Sequence, residues 1–188
     1  MRLSLDIPCP ENILWWIICI AFIGTLITGI MMRQAARFSL TLDGVPVALQ
    51  KFHRLGKADG VATILQSMSM HSRASMRAGL RMDFLFMPFF YGLIVCLSVL
   101  IRWDAGENSN WYEILYALCW LPFAMWLFDL IENLAALSIL SAFERKREVS
   151  TTSALLMAAG NVLKSVTLIL WLLVMASYGV AEVVDYGA

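Results

Sequence analysis

Four long apolar stretches, a sparse and lopsided set of charges, and helical spacing of the few polar residues within those stretches predict an all-α polytopic membrane protein. The expected architecture is four transmembrane helices over 13–32, 82–101, 112–140 and 153–178, with an amphipathic helical segment over 33–81 between the first and second. Residues 1–188 read as a single membrane domain. Hydrophobic residues make up 60% of the chain and charged residues only 15%, against about a quarter in soluble domains, which excludes an ordinary soluble fold. The net charge is zero, so no basic excess points to nucleic acid.

The first stretch, 13–32, has the length of about 20 residues that a helix needs to cross a bilayer. Asp6 and Glu11 precede it and no small-residue cleavage site follows it, so it reads as a span and not as a signal peptide. Gly24 and Gly29 offer points of close approach to a neighbouring helix. In the 33–81 segment, Asp43, Gly44 and Pro46 predict the start of a helix that runs to about Leu55 and stops at Gly56. Asp59 is expected to cap a second helix, with Ile64, Leu65, Met68 and Met76 on its apolar side. Arg73, Arg77 and Arg81, at i+4 intervals, form a basic ridge expected to meet lipid headgroups, or to bind a lipid phosphate or phosphorylated substrate.

The second span contains Pro88, which removes a backbone donor, and places Asp83 and Tyr91 within about 80° of each other around the helix axis. The third is unusually long, with Pro122 predicted to bend it about two turns before Asp129. The fourth carries Asn161 and Lys164 in its first half. Cys9, Cys19, Cys96 and Cys119 form no C-x-x-C pair and read as small apolar residues. His53 and His71 lie outside the apolar spans, which removes paired-histidine haem ligation and a ferritin-type di-metal site from consideration. No cofactor is expected, although a hard cation on Asp83, Asp129 and Glu132 stays open.

Lys and Arg divide unevenly between the two faces. Arg2 and Arg102 lie on one side; eight between Arg33 and Arg81, then Arg145, Lys146 and Arg147, lie on the other. That imbalance predicts a cytoplasmic 33–81 segment with both termini outside.

The densest information is in the third span, where Asp129, Glu132 and Asn133 fall at i, i+3 and i+4 on one helix face. Charges there are costly and commonly mark ion, proton or ligand paths. Lys164 lies level with them in the adjacent antiparallel helix and is the natural counter-ion. Asp83, Tyr91 and Asn161 can reach the same cavity. Three acids against one base would leave at least one carboxyl protonated near neutral pH.

The order Asp83-Phe84-x-Phe86 with Tyr91, then Asp129-x-x-Glu132-Asn133, then Lys164 resembles a widespread family of uncharacterised small bacterial four-helix integral membrane proteins, over about 42–164. The resemblance implies that these positions belong to one site in a bacterial inner membrane, and it implies no reaction.

Three functions remain open. In the first, the Asp83, Tyr91, Asp129, Glu132, Asn133, Asn161 and Lys164 set binds or conducts a cation, a proton, or an amine-bearing or lipid-like ligand. In the second, Asp129, Glu132 and Lys164 are the candidate catalytic groups of an intramembrane enzyme acting on a lipid or isoprenoid by carboxylate acid–base chemistry. In the third, the network only fixes helix register in a structural subunit. Expected partners are membrane lipids, with a homo-oligomer or larger membrane complex also open. No G-x-S-x-G, H-E-x-x-H or phosphate-loop motif supports other chemistry.

Overall fold

Apolar stretches of this length satisfy their backbone groups in a membrane only as helices, and the chain is built accordingly. The structure is a computed structural model that describes residues 11–35, 41–42, 45–46, 49–106 and 109–187. Four helices or helix pairs are long and apolar enough to cross a membrane. They are α1 (Glu11–Ala35), α4 (Met70–Ala105), the pair α5 (Tyr112–Leu118) and α6 (Leu121–Glu144), and α7 (Thr151–Gly187). Between α1 and α4 lie a two-residue antiparallel pairing, β1 (Thr41–Leu42) with β2 (Val45–Pro46), and two short helices, α2 (Leu49–His53) and α3 (Ala58–Ser67). Arg2, Cys9, Arg37, Asp43 and Gly44 lie outside the described residues.

Several local expectations are corrected. Pro46 sits in the β pairing and the helix begins only at Leu49. Asp59 falls inside the first turn of α3; the cap position is Lys57, whose side chain makes no capping bond. The expected helix carrying both Ile64 and Met76 is two helices, because Met68 and Ser69 are extended. Ser69 restarts the chain as the N-cap of α4, its hydroxyl accepting from the Ser72 N–H at 3.0 Å. Arg73 closes the preceding break by donating to the Leu65 and Met68 carbonyls at 3.1 and 2.6 Å. The basic ridge therefore belongs to the start of α4.

Pro122 has the effect anticipated for it, in stronger form. With no N–H to give the carbonyl four residues back, it lies in the first turn of α6, and the helix breaks at Cys119–Trp120 just before it. Pro88 is instead carried within α4.

Helix α1 is the outermost span. Leu14, Ile18, Ala21 and Thr28 are buried along one narrow seam, while Trp16, Ile20, Ile23, Ile27 and Ile30 are exposed on the rest of its surface. Glycines let α4 approach closely along it: a Cβ on Gly24 would lie 2.2 Å from the Phe89 ring of α4, and one on Gly29 would lie 3.6 Å from Phe86. The Ser75 hydroxyl donates to the Ala35 carbonyl at 2.5 Å and ties the end of α1 to α4.

The main apolar core lies between the 33–81 segment and the turn-proximal ends of the spans. Phe52, Val61, Ile64, Leu65 and Met68 pack with Met76 and Leu80 of α4, Ala135, Ala136, Ile139 and Leu140 of α6, and Ala154 and Met157 of α7. Segment 49–68 is thus docked into the bundle through its apolar face, each large buried side chain contributing about 1.5–3 kcal/mol. Its helices form a wedge at one end of the bundle.

Candidate ligand site

The face of α6 that carries Asp129, Glu132 and Asn133 is the hub of a buried polar cluster, met by side chains from α4 and α7. All three are at most 5% exposed. From α4, Tyr91 donates its hydroxyl to Asp129 Oδ2 at 2.8 Å, and Asp83 Oδ2 accepts from Asn133 Nδ2 at 2.5 Å. From α7, Lys164 Nζ lies 2.5 Å from Asp129 Oδ1 and 2.6 Å from Glu132 Oε2. Asn161, one turn earlier on α7, donates to Glu132 Oε1 at 3.1 Å. The residues that the sequence assigns to ligand binding therefore line one cavity in two bonded groups, the Asp83–Asn133 pair and the set made by Tyr91, Asp129, Glu132, Asn161 and Lys164.

Helix geometry explains the convergence. Asp83 lies thirteen residues after the start of α4, Glu132 twelve before the end of α6, and Lys164 thirteen after the start of α7. At 1.5 Å per residue all three are about 18–20 Å from the same face of the bundle. Asp83 is therefore level with the hub and not at the start of its helix, because α4 begins at Met70 and not near residue 82. The approach of α7 to α6 is set by Gly160, where a Cβ would lie 2.8 Å from the Phe128 carbonyl oxygen and 3.1 Å from Glu132 N and Cβ. A side chain there would hold Asn161 and Lys164 away from the acids.

His53 is the residue that sequence reasoning set aside and the structure brings in. Its Nδ1 pairs with Glu132 Oε1, and the residue is 7% exposed. The apolar periodicity of 52–68 was the available signal, since a segment docked by Phe52 must bring its neighbour inward too. Gly160 was likewise missed, because a single glycine in an apolar helix carries no sign of which neighbour it admits.

The three arginines expected at lipid headgroups divide differently. Arg73 caps α3 and lies over the Phe143 ring, with 5.5 Å to its centroid. Arg77 pairs with Glu144 at 2.5 Å, and Arg81 is exposed.

The cluster borders a cavity of about 560 Å³, a size suited to a small amphiphile. Helix α4 lines it with Asp83, Phe86, Phe90 and Tyr91; α6 with the hub; α7 with Asn161, Lys164 and Leu168; and His53 and Arg33 complete the wall. Phe86 and Phe90 stack at 5.1 Å, and Phe90 meets Tyr91 edge-on at 5.2 Å. Among the described residues no group of His, Cys, Asp and Glu has the arrangement of a metal site.

The charges are distributed unequally. Asp129 and Glu132 share Lys164, and Glu132 also has His53. Among the described residues, Asp83 has the Asn133 amide as its hydrogen-bond partner and no cation within 4 Å. Asp83 is thus the acid on the cavity wall that forms no ion pair among the described residues.

No family model, no curated protein and no solved structure matches the chain. The functional reading therefore rests on the site.

Proposed function

We propose that this chain is a multi-pass protein of the bacterial inner membrane whose polar cavity binds an amphipathic ligand through a cationic, amine-bearing head group. The observation that carries the reading is Asp83, an acid on the cavity wall that forms no ion pair among the described residues, with Phe86, Phe90 and Tyr91 following it on the same wall. A carboxylate flanked by aromatic rings is the surface chemistry that attracts an ammonium, by charge and by the ring quadrupole. Leu168, Met76 and Leu80 line the same cavity and suit an acyl or alkyl chain.

The distribution of Lys and Arg supports an orientation in which the α2–α3 wedge and the α6–α7 turn face the cytoplasm. With that orientation the cavity lies about 20 Å from the cytoplasmic ends of the spans, within reach of lipid in that leaflet.

The test is titration of the protein, held in lipid nanodiscs, with dodecyltrimethylammonium and with dodecyl sulfate. Binding of the cation but not of the anion, weakened at least about tenfold (1.4 kcal/mol) by Asp83→Asn, is the expected result. Equal binding of the two amphiphiles, or an unchanged affinity in Asp83→Asn, would refute the assignment. Native mass spectrometry with lipidomics on the gently purified protein then identifies the ligand carried from the cell.

A further inference from the structure

We infer that the cavity exchanges a proton for its cation: His53, held by Glu132, gives up a ring proton when a cationic head group enters. The inference rests on the cationic-ligand reading and adds to it a linked proton.

The geometry that points to this is the unequal treatment of the two ring nitrogens. Nδ1 is engaged by Glu132, while Nε2 is buried without a hydrogen-bond partner. An imidazolium must place two N–H donors, and at His53 only one is placed. A neutral imidazole with its proton on Nδ1 keeps the Glu132 bond and leaves only an acceptor unpaired, which is the less costly deficit. Charge pulls the other way. Asp129, Glu132 and Lys164 sum to −1, so a positive His53 neutralises that group, and Asp83 adds a further negative charge on the same cavity. The two tendencies oppose each other at one ring, and an arriving cation changes only the second. Once an ammonium sits among the same carboxylates, the electrostatic reason for a positive His53 is gone and the cost of its unpaired donor remains.

Other charges facing this ring do not alter the sense of the effect. Across the cavity are Asp83 of α4 and Arg33 of α1; from α6 come Asp129 and Glu132, and from α7 Lys164. Lys51 of α2 and Arg54 just after it are exposed and solvent-screened. The proton balance is simple: the imidazolium becomes an imidazole, and the proton passes to buffer. No bond to the ligand forms or breaks. The location is suited to the exchange, since His53 belongs to the wedge and not to a spanning helix, one residue from exposed Arg54. The site is thereby a proton-linked one, in which cation and proton compete for the same buried carboxylates.

The experiment uses dodecyltrimethylammonium, which has no proton of its own, added to the protein in nanodiscs in weak buffer with a pH indicator, against empty nanodiscs. The wild type is expected to release up to one proton per amphiphile bound. Because binding releases a proton, its affinity should rise with pH, by up to about tenfold per unit, wherever release is seen. His53→Gln, which keeps a polar side chain of similar reach, should bind without release and with a flat pH profile. Binding to the wild type with no proton released overturns the exchange and leaves the ligand reading standing, and this arm needs no variant. Release that persists in His53→Gln also overturns it, by assigning the proton to a carboxyl. If the amphiphile binds neither protein, the cationic-ligand reading falls and the exchange falls with it.

Discussion

Gly160→Ala adds one methyl group where α7 meets α6, and two opposing magnitudes decide its outcome. Replacing a glycine inside a helix by alanine favours the helix by about 0.5–1 kcal/mol. Against this, the new Cβ would stand 2.8 Å from the Phe128 carbonyl oxygen and 3.1 Å from the Glu132 backbone nitrogen. These are backbone atoms that cannot rotate away, so the helices must separate by several tenths of an ångström. Overpacking of this kind costs about 1–3 kcal/mol, so the net effect should be destabilising. The separation also has a local signature. Asn161 is short and its 3.1 Å bond to Glu132 has little slack, whereas the long Lys164 side chain can follow the acids. The control is Gly92→Ala on α4, where nothing lies within 4 Å of the added methyl and stability should be unchanged or higher. Thermal unfolding of both variants in nanodiscs, together with amphiphile binding, makes the comparison. If Gly160→Ala melts at or above the temperature of Gly92→Ala, the close approach does not set the geometry of the site.

Further outcomes follow from the same contacts. Lys164→Met leaves Asp129 and Glu132 buried without their shared cation and should cost about 3–5 kcal/mol, while Lys164→Met combined with Asp129→Asn and Glu132→Gln should recover most of it; chemical denaturation in detergent distinguishes the two. Gly24→Ala drives a methyl into the Phe89 ring and should loosen α1 from α4, whereas Gly29→Ala meets Phe86 at an ordinary 3.6 Å and should be tolerated; hydrogen exchange at the α1 amides separates the two. Glu144→Gln breaks a partly exposed pair with Arg77 and should change the unfolding free energy by less than about 1 kcal/mol.

The spans and the hub were legible in the sequence because each rests on a local rule. Length and hydropathy give a membrane helix, and i, i+3, i+4 spacing gives a common face, which is why Asp129, Glu132 and Asn133 could be read together. Pairing Lys164 with them needed only the rise per residue and an antiparallel hairpin. What failed was any feature decided by an element boundary. The extended Met68 and Ser69 divide a segment whose apolar pattern runs straight through them, and this moved Asp83 from a helix start to the level of the hub. Arg73 looked like a headgroup ligand because its spacing to Arg77 was visible and its bonds to the Leu65 and Met68 carbonyls were not. A backbone carbonyl left open by a break cannot be seen in a string of side chains.

His53 bears on the choice between a ligand site and a device for helix register. A register-fixing network needs partners on the spanning helices alone, and Tyr91, Asn133, Asn161 and Lys164 already supply them among α4, α6 and α7. The Glu132 bond to His53 adds nothing to the register of those helices, because α2 does not span. It links the buried acid to the wedge, which is held by Phe52, Val61, Ile64 and Leu65 against the ends of the spans. A packing role for the wedge would be met by those apolar side chains, with an apolar residue at 53 and none of the cost of burying a half-satisfied ring. The ring is buried at the wall of the cavity, beside an acid already paired to Lys164, and the proposed proton exchange gives a reason for a polar group to be retained there at the expense of stability.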